Sequence, residues 1–267
     1  MDYEHEKQLD DAIKNNDLEL FKRLIAEQPY NNKYRPLETA CHYDRTEMVK
    51  ILIEQGAFIH DDFNSLAYAA RHGNLELMQF LYEHAENIGH AFNWASKGIA
   101  LQDAAGSGNI EAVRFLLDRN ADANYLENPT PLDAAAETRN LDILKLLVSY
   151  GADPTDRYCH AIRTTKKLIH KHRHERKLKS ILTYLLNIKQ DWPIYKAVFA
   201  NDIAEINRIL GSQPLSLSKD TKSWLKHGCT KTPGFEHAQH KYRLGIIKDR
   251  LERKMTRPVA KVRPNKI

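Results

Sequence analysis

The chain has 267 residues, of which 42% are hydrophobic and 28% charged, and it contains three cysteines. This composition excludes collagen-like, low-complexity and disulfide-scaffold proteins, while the length allows one long or two ordinary globular units. No apolar run approaches the roughly 20 residues that cross a bilayer, and the acidic start MDYEHEKQLDD does not resemble a secretory signal. We therefore expect a soluble intracellular protein with reduced cysteines.

The net charge of +5 hides an asymmetry along the chain. Residues 1–156 hold 14 Lys and Arg against 27 Asp and Glu, a balance of −13, whereas residues 157–190 hold 10 against 1, a balance of +9. Residues 191–213 balance at −1 and residues 214–267 at +10. An acidic body thus carries one basic segment and one basic tail.

Internal repeats dominate the first two hundred residues. Each unit has a leading apolar residue, two variable residues and two small ones, then a short polar break and an amphipathic stretch that ends in a Leu/Ile pair. Five copies start near Gln8, Pro36, Ser65, Ala100 and Thr130, and a weaker copy starts at Ile194. Self-similarity at this period is typical of a repeat architecture.

The leading apolar residues are spaced at 28, 29, 35, 31 and 62 positions. They are Leu9, Leu37, Leu66, Leu101, Leu132 and Ile194. Because 62 is two units of 31, a diverged repeat is expected over residues 157–190, with YCHAIRTTKKL as its first helix and LKSILTYLL as its second.

The pattern predicts two antiparallel helices per repeat. Small pairs such as Ala69/Ala70, Ala104/Ala105 and Ala135/Ala136 allow close helix approach. We expect the seam to be filled by Leu75, Phe80 and Leu81 and by their counterparts Ile110, Phe115 and Leu116. The turn between the helices favours left-handed residues, which we assign to Gly73, Gly108, Asn16, Asp44 and Asn140. One such hairpin cannot bury its apolar face alone, so the units must stack.

The motifs resemble those of the ankyrin repeat. Thr130-Pro131-Leu132-Asp133 matches the opening of that repeat, with Asp in place of its His. Gly108-Asn109-Ile110-Glu111 matches the middle, and Gly151-Ala152-Asp153-Pro154 matches the close. No opening carries the family's His, so weaker hydrogen bonds between adjacent loops are expected.

The resemblance implies an all-α solenoid of stacked antiparallel helix pairs, joined by short loops or β-hairpins and followed by a C-terminal capping helix. The resemblance covers residues 8–213, and we assign the solenoid to residues 1–213, with repeats near 8–34, 36–62, 65–97, 100–129, 130–156, 157–190 and 193–213. Residues 214–267 form a basic tail, in which a helix near 236–255 is expected to cover the last repeat. PLSLSKDTKSW and KHGCTKTPG, which precede that helix, read as turns.

Ankyrin-repeat proteins bind other proteins through their concave face, so the resemblance implies a noncatalytic scaffold or adaptor. The variable pair before the turn glycine maps onto His42/Tyr43 and Arg71/His72, and Trp94 and Tyr125 could extend that patch from inter-repeat loops. Tyr and Arg are enriched at binding hot spots. The alternative for each of these side chains is packing against its own neighbours.

The alternative function is binding of nucleic acid or an anionic membrane surface through the basic segments 163–179 and 241–266. The first segment contributes Lys166, Lys167, Lys171, Arg173, Arg176 and Lys177. A charge run is as often a merely solvated surface. Steep salt dependence would distinguish phosphate binding from a protein adaptor.

No signature of an enzyme is present. The sequence lacks G-x-S-x-G, H-E-x-x-H, a glycine-rich phosphate loop and a dinucleotide fingerprint, so we expect no catalytic residues, no cofactor and no metal. Two histidine groups are weak candidates for zinc: His170 with His174, and the tail set of His227, Cys229, His237 and His240. Cys41 occupies a small-residue position and is expected in the core.

The short, irregular repeats resemble those of ankyrin proteins that intracellular bacteria or large viruses deliver to host cells. This resemblance implies residence in the cytoplasm, or in the host cytoplasm or nucleus for a delivered effector.

Overall fold

A computed structural model describes residues 3–27, 36–57, 64–89, 92–125, 129–155, 160–172, 175–212, 217–227 and 235–245. The regular structure in these ranges is helical and their connections contain no β-strand, which confirms the all-α class. The chain divides into two compact units, Met1–Thr183 and Tyr184–Ile267.

The helices follow one another in pairs along most of the chain. They are α1 (Tyr3–Asn15), α2 (Leu18–Glu27), α3 (Pro36–His42), α4 (Thr46–Glu54), α5 (Ser65–His72), α6 (Leu75–Asn87), α7 (Trp94–Ser107), α8 (Ile110–Asp118), α9 (Pro131–Glu137), α10 (Leu141–Ser149), α11 (Ala161–Lys171), α12 (Arg176–Phe199), α13 (Ile203–Ser212) and α14 (Lys219–His227). Residues 235–245 are also helical, and the remainder of the helix predicted to 255 lies outside the described residues.

The first unit is a stack of these pairs. The first helices α1, α3, α5, α7, α9 and α11 contact one another in that order, and α6, α8 and α10 form a second layer. Ala69, Ala70, Ala104 and Ala105 are completely buried between the layers, as expected from the close approach of the helices. The predicted solenoid is therefore confirmed.

The second helices bury only part of the set of side chains that was predicted, since Phe80, Ile110 and Phe115 are only partly buried. Leu81 and Leu116 are in the core, but Leu75 is 39% exposed. Because α6 begins at Leu75, the buried face is supplied from Leu77 and Met78 onward.

The inter-helix turns have the predicted left-handed backbone at Asn16, Asp44, Gly73 and Gly108. In the fifth repeat the left-handed residue is Arg139, with φ of 60°, and not Asn140. Asn140 is instead the N-cap of α10, where its side chain accepts hydrogen bonds from the backbone N–H groups of Asp142 and Ile143. At the N-cap the side-chain oxygen of Asn140 satisfies backbone N–H groups that have no partner within the helix, which it would not do from the turn.

Helix α7 explains the longest repeat spacing. It begins seven residues before its leading Leu101, whereas α5 begins one residue before Leu66. Asn93 caps the added turns by accepting a hydrogen bond from the Ser96 backbone N–H. Gly98 lies in this extension, against the ring of Tyr125.

Helix α12 joins two segments that the repeat pattern separates. It passes through Pro193, so the second helix of the sixth repeat and the first helix of the seventh are continuous. Pro193 lacks one backbone N–H, but the buried residues Ile188, Trp192 and Tyr195 keep helical spacing across it.

The second unit has an aromatic core. The rings of Tyr195 and Trp224 stack with centroids 4.1 Å apart, and Phe235 packs on Trp224 at 5.0 Å. The buried carboxylate of Asp191 accepts hydrogen bonds from the Ser218 backbone N–H at 2.8 Å and the Thr221 hydroxyl at 2.7 Å. These bonds fix the start of α14, so the turn predicted across PLSLSKDTKSW is a helix from Lys219 onward.

Candidate binding face

The C-terminal ends of the first helices are tied together by side chains. A helix end leaves backbone carbonyls without partners inside the helix. In this stack a side chain from each of the second to fifth repeats donates to such carbonyls of the preceding repeat, and we call this set the carbonyl ladder. It consists of Arg45 to Ile13 and Lys14, His72 to His42, Asn109 to Ala70 and Arg71, and Thr138 to Ala105.

The ladder bonds are short where they are exposed. Asn109 donates to the Arg71 carbonyl at 2.6 Å, and His72 Nε2 lies 2.8 Å from the His42 carbonyl oxygen. Since a carbonyl only accepts, His72 must carry its proton on that nitrogen. The ladder joins neighbouring first helices side by side, with their C-terminal ends along one edge.

The opposite ends of α9 and α11 are joined by Asp133, which stands where the family repeat has His. Its carboxylate accepts from the Thr130 backbone N–H at 3.2 Å and from the His160 backbone N–H at 2.7 Å. The hydroxyl oxygen of Thr130 in turn accepts a hydrogen bond from the Asp133 backbone N–H, which completes a capping box. A carboxylate therefore bridges two repeats where the histidine is missing.

A partly exposed cluster is formed by side chains of α5, α7 and the C-terminal end of α3. Its members are His42, Tyr43, Tyr68, Arg71 and Asp103, which we call the aromatic–arginine cluster. The His42 ring makes edge contacts with Tyr43 at 5.0 Å and with Tyr68 at 4.8 Å. The Arg71 guanidinium lies 5.6 Å from the Tyr68 ring centroid and 3.0 Å from both carboxylate oxygens of Asp103.

The ion pair with Asp103 holds the guanidinium of Arg71 in place. Burial raises the pKa of the Asp103 carboxyl above its ordinary value, and the hydrogen bond from Arg71 opposes that rise. The ion pair thus positions Arg71 while leaving it half-exposed, with 48% of its side chain accessible. Tyr43, beside it, is 38% exposed.

Four of the six residues predicted for partner binding lie at one edge of the first helices, namely His42, Tyr43, Arg71 and His72. Trp94 is 64% exposed but begins α7, whereas the cluster lies towards the ends of α3 and α5. The length of α7 corresponds to about 20 Å, so Trp94 does not continue the same patch.

Tyr125 lies beneath the surface, with 1% of its area exposed. Its ring fills the space over Gly98 and contacts Trp94 edge-on, with centroids 5.0 Å apart. We therefore correct its assignment from partner contact to internal support.

Sequence reasoning missed Tyr68 and Asp103. Tyr68 lies three residues before Arg71 on α5, and Asp103 holds the same position in the next repeat, two residues after its leading Leu101. Comparing equivalent positions of adjacent repeats would have identified both.

A row of basic side chains covers the solvent side of α11. Arg163, Lys166, Lys167, His170 and Lys171 are exposed at helical spacing, and we call them the basic stripe. Arg176 and Lys177 are exposed at the start of α12, while Arg173 lies outside the described residues. The tail segment 241–266 is described only to residue 245, so its binding role stays a prediction.

The part of the chain that the structure describes contains no group of three or more His, Cys, Asp or Glu side chains arranged to hold a metal ion. His174 and Cys229 lie outside that part. The His237 ring is hydrogen-bonded to the side chain of Asn207, with His237 Nε2 and Asn207 Oδ1 3.0 Å apart.

Cys41 is buried, as predicted, and burial raises its pKa to about 12. The thiol therefore stays protonated and inaccessible near neutral pH.

In a variant that retains only Cys41 (Cys159→Ser, Cys229→Ser), we expect no alkylation by iodoacetamide at pH 8 in the folded state and full alkylation in urea. Rapid alkylation of the folded protein, followed by mass spectrometry, would contradict the burial of Cys41.

None of the described helices is both long and apolar enough to cross a membrane.

Comparison with known proteins identifies the repeats. A family model described as ankyrin repeats, in three copies, matches residues 9–92 and 89–158. An ankyrin repeat protein of Rickettsia felis is 33% identical over 150 residues, which are 53% of this chain and 37% of that protein. The ankyrin repeat and KH domain-containing protein mask-1 of Caenorhabditis elegans is 32% identical over 119 residues, or 44% of this chain and 4% of that protein.

Among solved structures, the human ASB11 ankyrin repeat domain is similar, with a TM-score of 0.47 and 26% identity over 58% of this chain and 74% of that one. The chain spans little more than a third, at most, of the length of the two curated relatives described above.

Proposed function

Since the chain belongs to the ankyrin-repeat family, whose repeats are in general protein-interaction modules, we propose that it is a noncatalytic scaffold that binds a partner protein through the exposed side of its first helices. We call this side the first-helix face and define it as the solvent-facing surface of α1, α3, α5, α7, α9 and α11. The aromatic–arginine cluster would be the centre of the interface.

The observation that carries the proposal is the organisation of that cluster. Its side chains come from three adjacent first helices, and each is held by a neighbour before any partner arrives. Tyr and Arg provide large contact area and directional hydrogen bonds, which is why both are common at hot spots. Because Arg71 is already positioned by Asp103 and Tyr68, binding would cost little additional side-chain entropy.

The carbonyl ladder supports the same conclusion. It fixes the spacing between neighbouring first helices, so the cluster is presented on a preformed surface. Preorganised surfaces lose less free energy on binding than surfaces that must become ordered. An intracellular location, and delivery to a host cell, remain predictions.

The test removes two exposed members of the aromatic–arginine cluster. Tyr43→Ala with Arg71→Ala should reduce the capture of the bound partner at least tenfold, because hot-spot truncations typically cost more than about 2 kcal/mol each. Proximity labelling in cells, followed by pull-down in 0.5 M salt, measures the loss. His72 is left intact because it belongs to the carbonyl ladder.

The control is a matched pair from the second-helix layer, Arg114→Ala with Tyr150→Ala. Tyr150 is 40% exposed, close to the 38% of Tyr43. An unchanged set of labelled proteins in the Tyr43/Arg71 variant, with both variants folded, would remove the cluster from the interface.

A further inference from the structure

Among the residues that the structure describes, the basic stripe has no counter-charge. The segment 157–190 contains a single acidic residue, Glu175. Its carboxylate is engaged by Arg139 at 2.9 Å. Within the described ranges no acidic side chain lies at ion-pair distance from Arg163, Lys166 or Lys167.

The stripe is also continuous. Its members follow Arg163 at three, four, seven and eight positions, so they share one side of α11. The row extends over about 12 Å along the helix axis. The other side of α11 faces the stack, where Ala161 and Thr165 are completely buried.

The stripe belongs to the same surface as the aromatic–arginine cluster. Helix α11 packs on α9, and the bond between the His160 backbone N–H and Asp133 sets their N-terminal ends level. Lys166 lies five residues after Ala161, as Glu137 lies five residues after Leu132, so the two residues occupy equivalent positions of their repeats. Glu137 is an exposed residue of the first-helix face.

We propose that the basic stripe binds an acidic segment of the partner protein, an inference that rests on the proposed function of the first-helix face. The occupant is a protein segment rich in Asp and Glu. Lysine and arginine attract such a segment by charge, and the guanidinium of Arg163 can pair with a carboxylate through two parallel hydrogen bonds.

The span of the face fits a single extended segment. From α5 to α11 there are three steps between neighbouring first helices, each of about 8–10 Å, or about 27 Å in all. An extended chain of nine residues covers about 30 Å. One partner segment can therefore contact the aromatic–arginine cluster with one end and place its carboxylates on α11 with the other.

Nucleic acid fits the stripe less well. Duplex DNA carries one charge per roughly 1.7 Å and extends far beyond a 12 Å row. Along the first-helix face it would meet the carboxylates of Asp103 and Glu137, and the chain up to residue 156 has a net charge of −13.

A membrane surface also fits less well. Helices that lie in a bilayer interface combine basic residues with exposed apolar side chains. The exposed positions of α11 are Arg163, Lys166, Lys167, His170 and Lys171, so none of them is apolar.

The test uses a fluorescent twelve-residue peptide in which Asp and Glu alternate with Gly and Ser, and a second peptide with Asn and Gln in their place. Fluorescence anisotropy with the full chain at 50 mM salt should show binding of the acidic peptide only. Lys166→Glu, Lys167→Glu and Lys171→Glu together should weaken that binding at least tenfold. The affinity should also fall steeply as salt rises, because the cations are exposed to screening.

The matched control reverses three exposed cations of the second helices α2, α8 and α10, Lys22→Glu, Arg114→Glu and Lys145→Glu, with the same change in net charge. It should alter the affinity for the acidic peptide less than twofold. Equal losses in the two triple variants would show that only net charge matters, and this would overturn the proposal. Circular dichroism establishes that both variants are folded.

Three further outcomes are decisive. Equal binding of the neutral peptide, or no binding of the acidic one, overturns the assignment of an acidic segment. Binding of a 20-nucleotide single strand or of phosphatidylserine vesicles, lost in the stripe variant while the acidic peptide does not bind, would assign the stripe to nucleic acid or lipid instead.

The proposed function is tested separately by the Tyr43/Arg71 variant. If that variant loses its partner while the acidic peptide fails to bind, the first-helix face is retained and only the stripe proposal fails. If the peptide binds through the stripe but partner capture is unchanged in the Tyr43/Arg71 variant, the cluster is not the centre of the interface.

Discussion

Replacing Gly98 by alanine should lower the free energy of unfolding by about 3 kcal/mol, at the upper end of what overpacking a core costs. A Cβ on Gly98 would overlap three ring carbons of Tyr125, the farthest of them 2.6 Å away. The Tyr125 side chain is buried, with 1% of its area exposed, so the ring cannot move away without disturbing its neighbours. Urea unfolding followed by circular dichroism measures the change.

Gly106→Ala on the same helix provides the control. Its Cβ would meet the Cβ of Ala134 at 3.7 Å, an ordinary van der Waals distance. Since alanine favours helix over glycine by about 1 kcal/mol, this variant should be as stable as the original chain or more stable. If Gly98→Ala had as little effect on the free energy of unfolding as Gly106→Ala, Tyr125 would not pack over α7 as described.

Asp133→Ala should destabilise the stack by about 3 kcal/mol. The substitution leaves the backbone N–H groups of Thr130 and His160 without their acceptor, and hydrogen bonds to charged groups contribute about 1.5–3 kcal/mol each. Asp133 is 2% exposed, so water does not readily replace the carboxylate. Thermal and urea unfolding give the size of the loss.

Asp133→Asn separates the two bonds. The two N–H groups donate to different carboxylate oxygens, and an amide supplies only one acceptor oxygen, so about half of the loss is expected. Glu137→Ala, at the exposed end of the same helix, should change stability by less than about 0.5 kcal/mol. Similar losses for Asp133→Ala and Glu137→Ala would disprove the bridging role of Asp133.

The repeat architecture of the first unit was predictable because stacking imposes a strict period on small and apolar residues. The completely buried Ala69, Ala70, Ala104 and Ala105 are direct consequences of that period. Departures from it were not predictable from the same signal. The added turns of α7 and the continuation of α12 through Pro193 depend on which apolar neighbours each segment finds in three dimensions.

The candidate site was predicted in part for a similar reason. The repeat register places His42, Tyr43, Arg71 and His72 at the ends of first helices, and a register defines such positions well. It does not show which side chains pair, so Asp103 as the partner of Arg71 was missed. Tyr125 was misassigned because an aromatic residue in a loop shows its burial only when the opposing glycine is known.

The continuity of α12 sets where this chain can be divided for experiments. A fragment that stops at residue 190 or 192 would end inside one helix and remove half of its apolar stripe from the remainder. A repeat deleted or duplicated at either of these positions would face the same break. The sixth and seventh repeats must therefore be handled as one module.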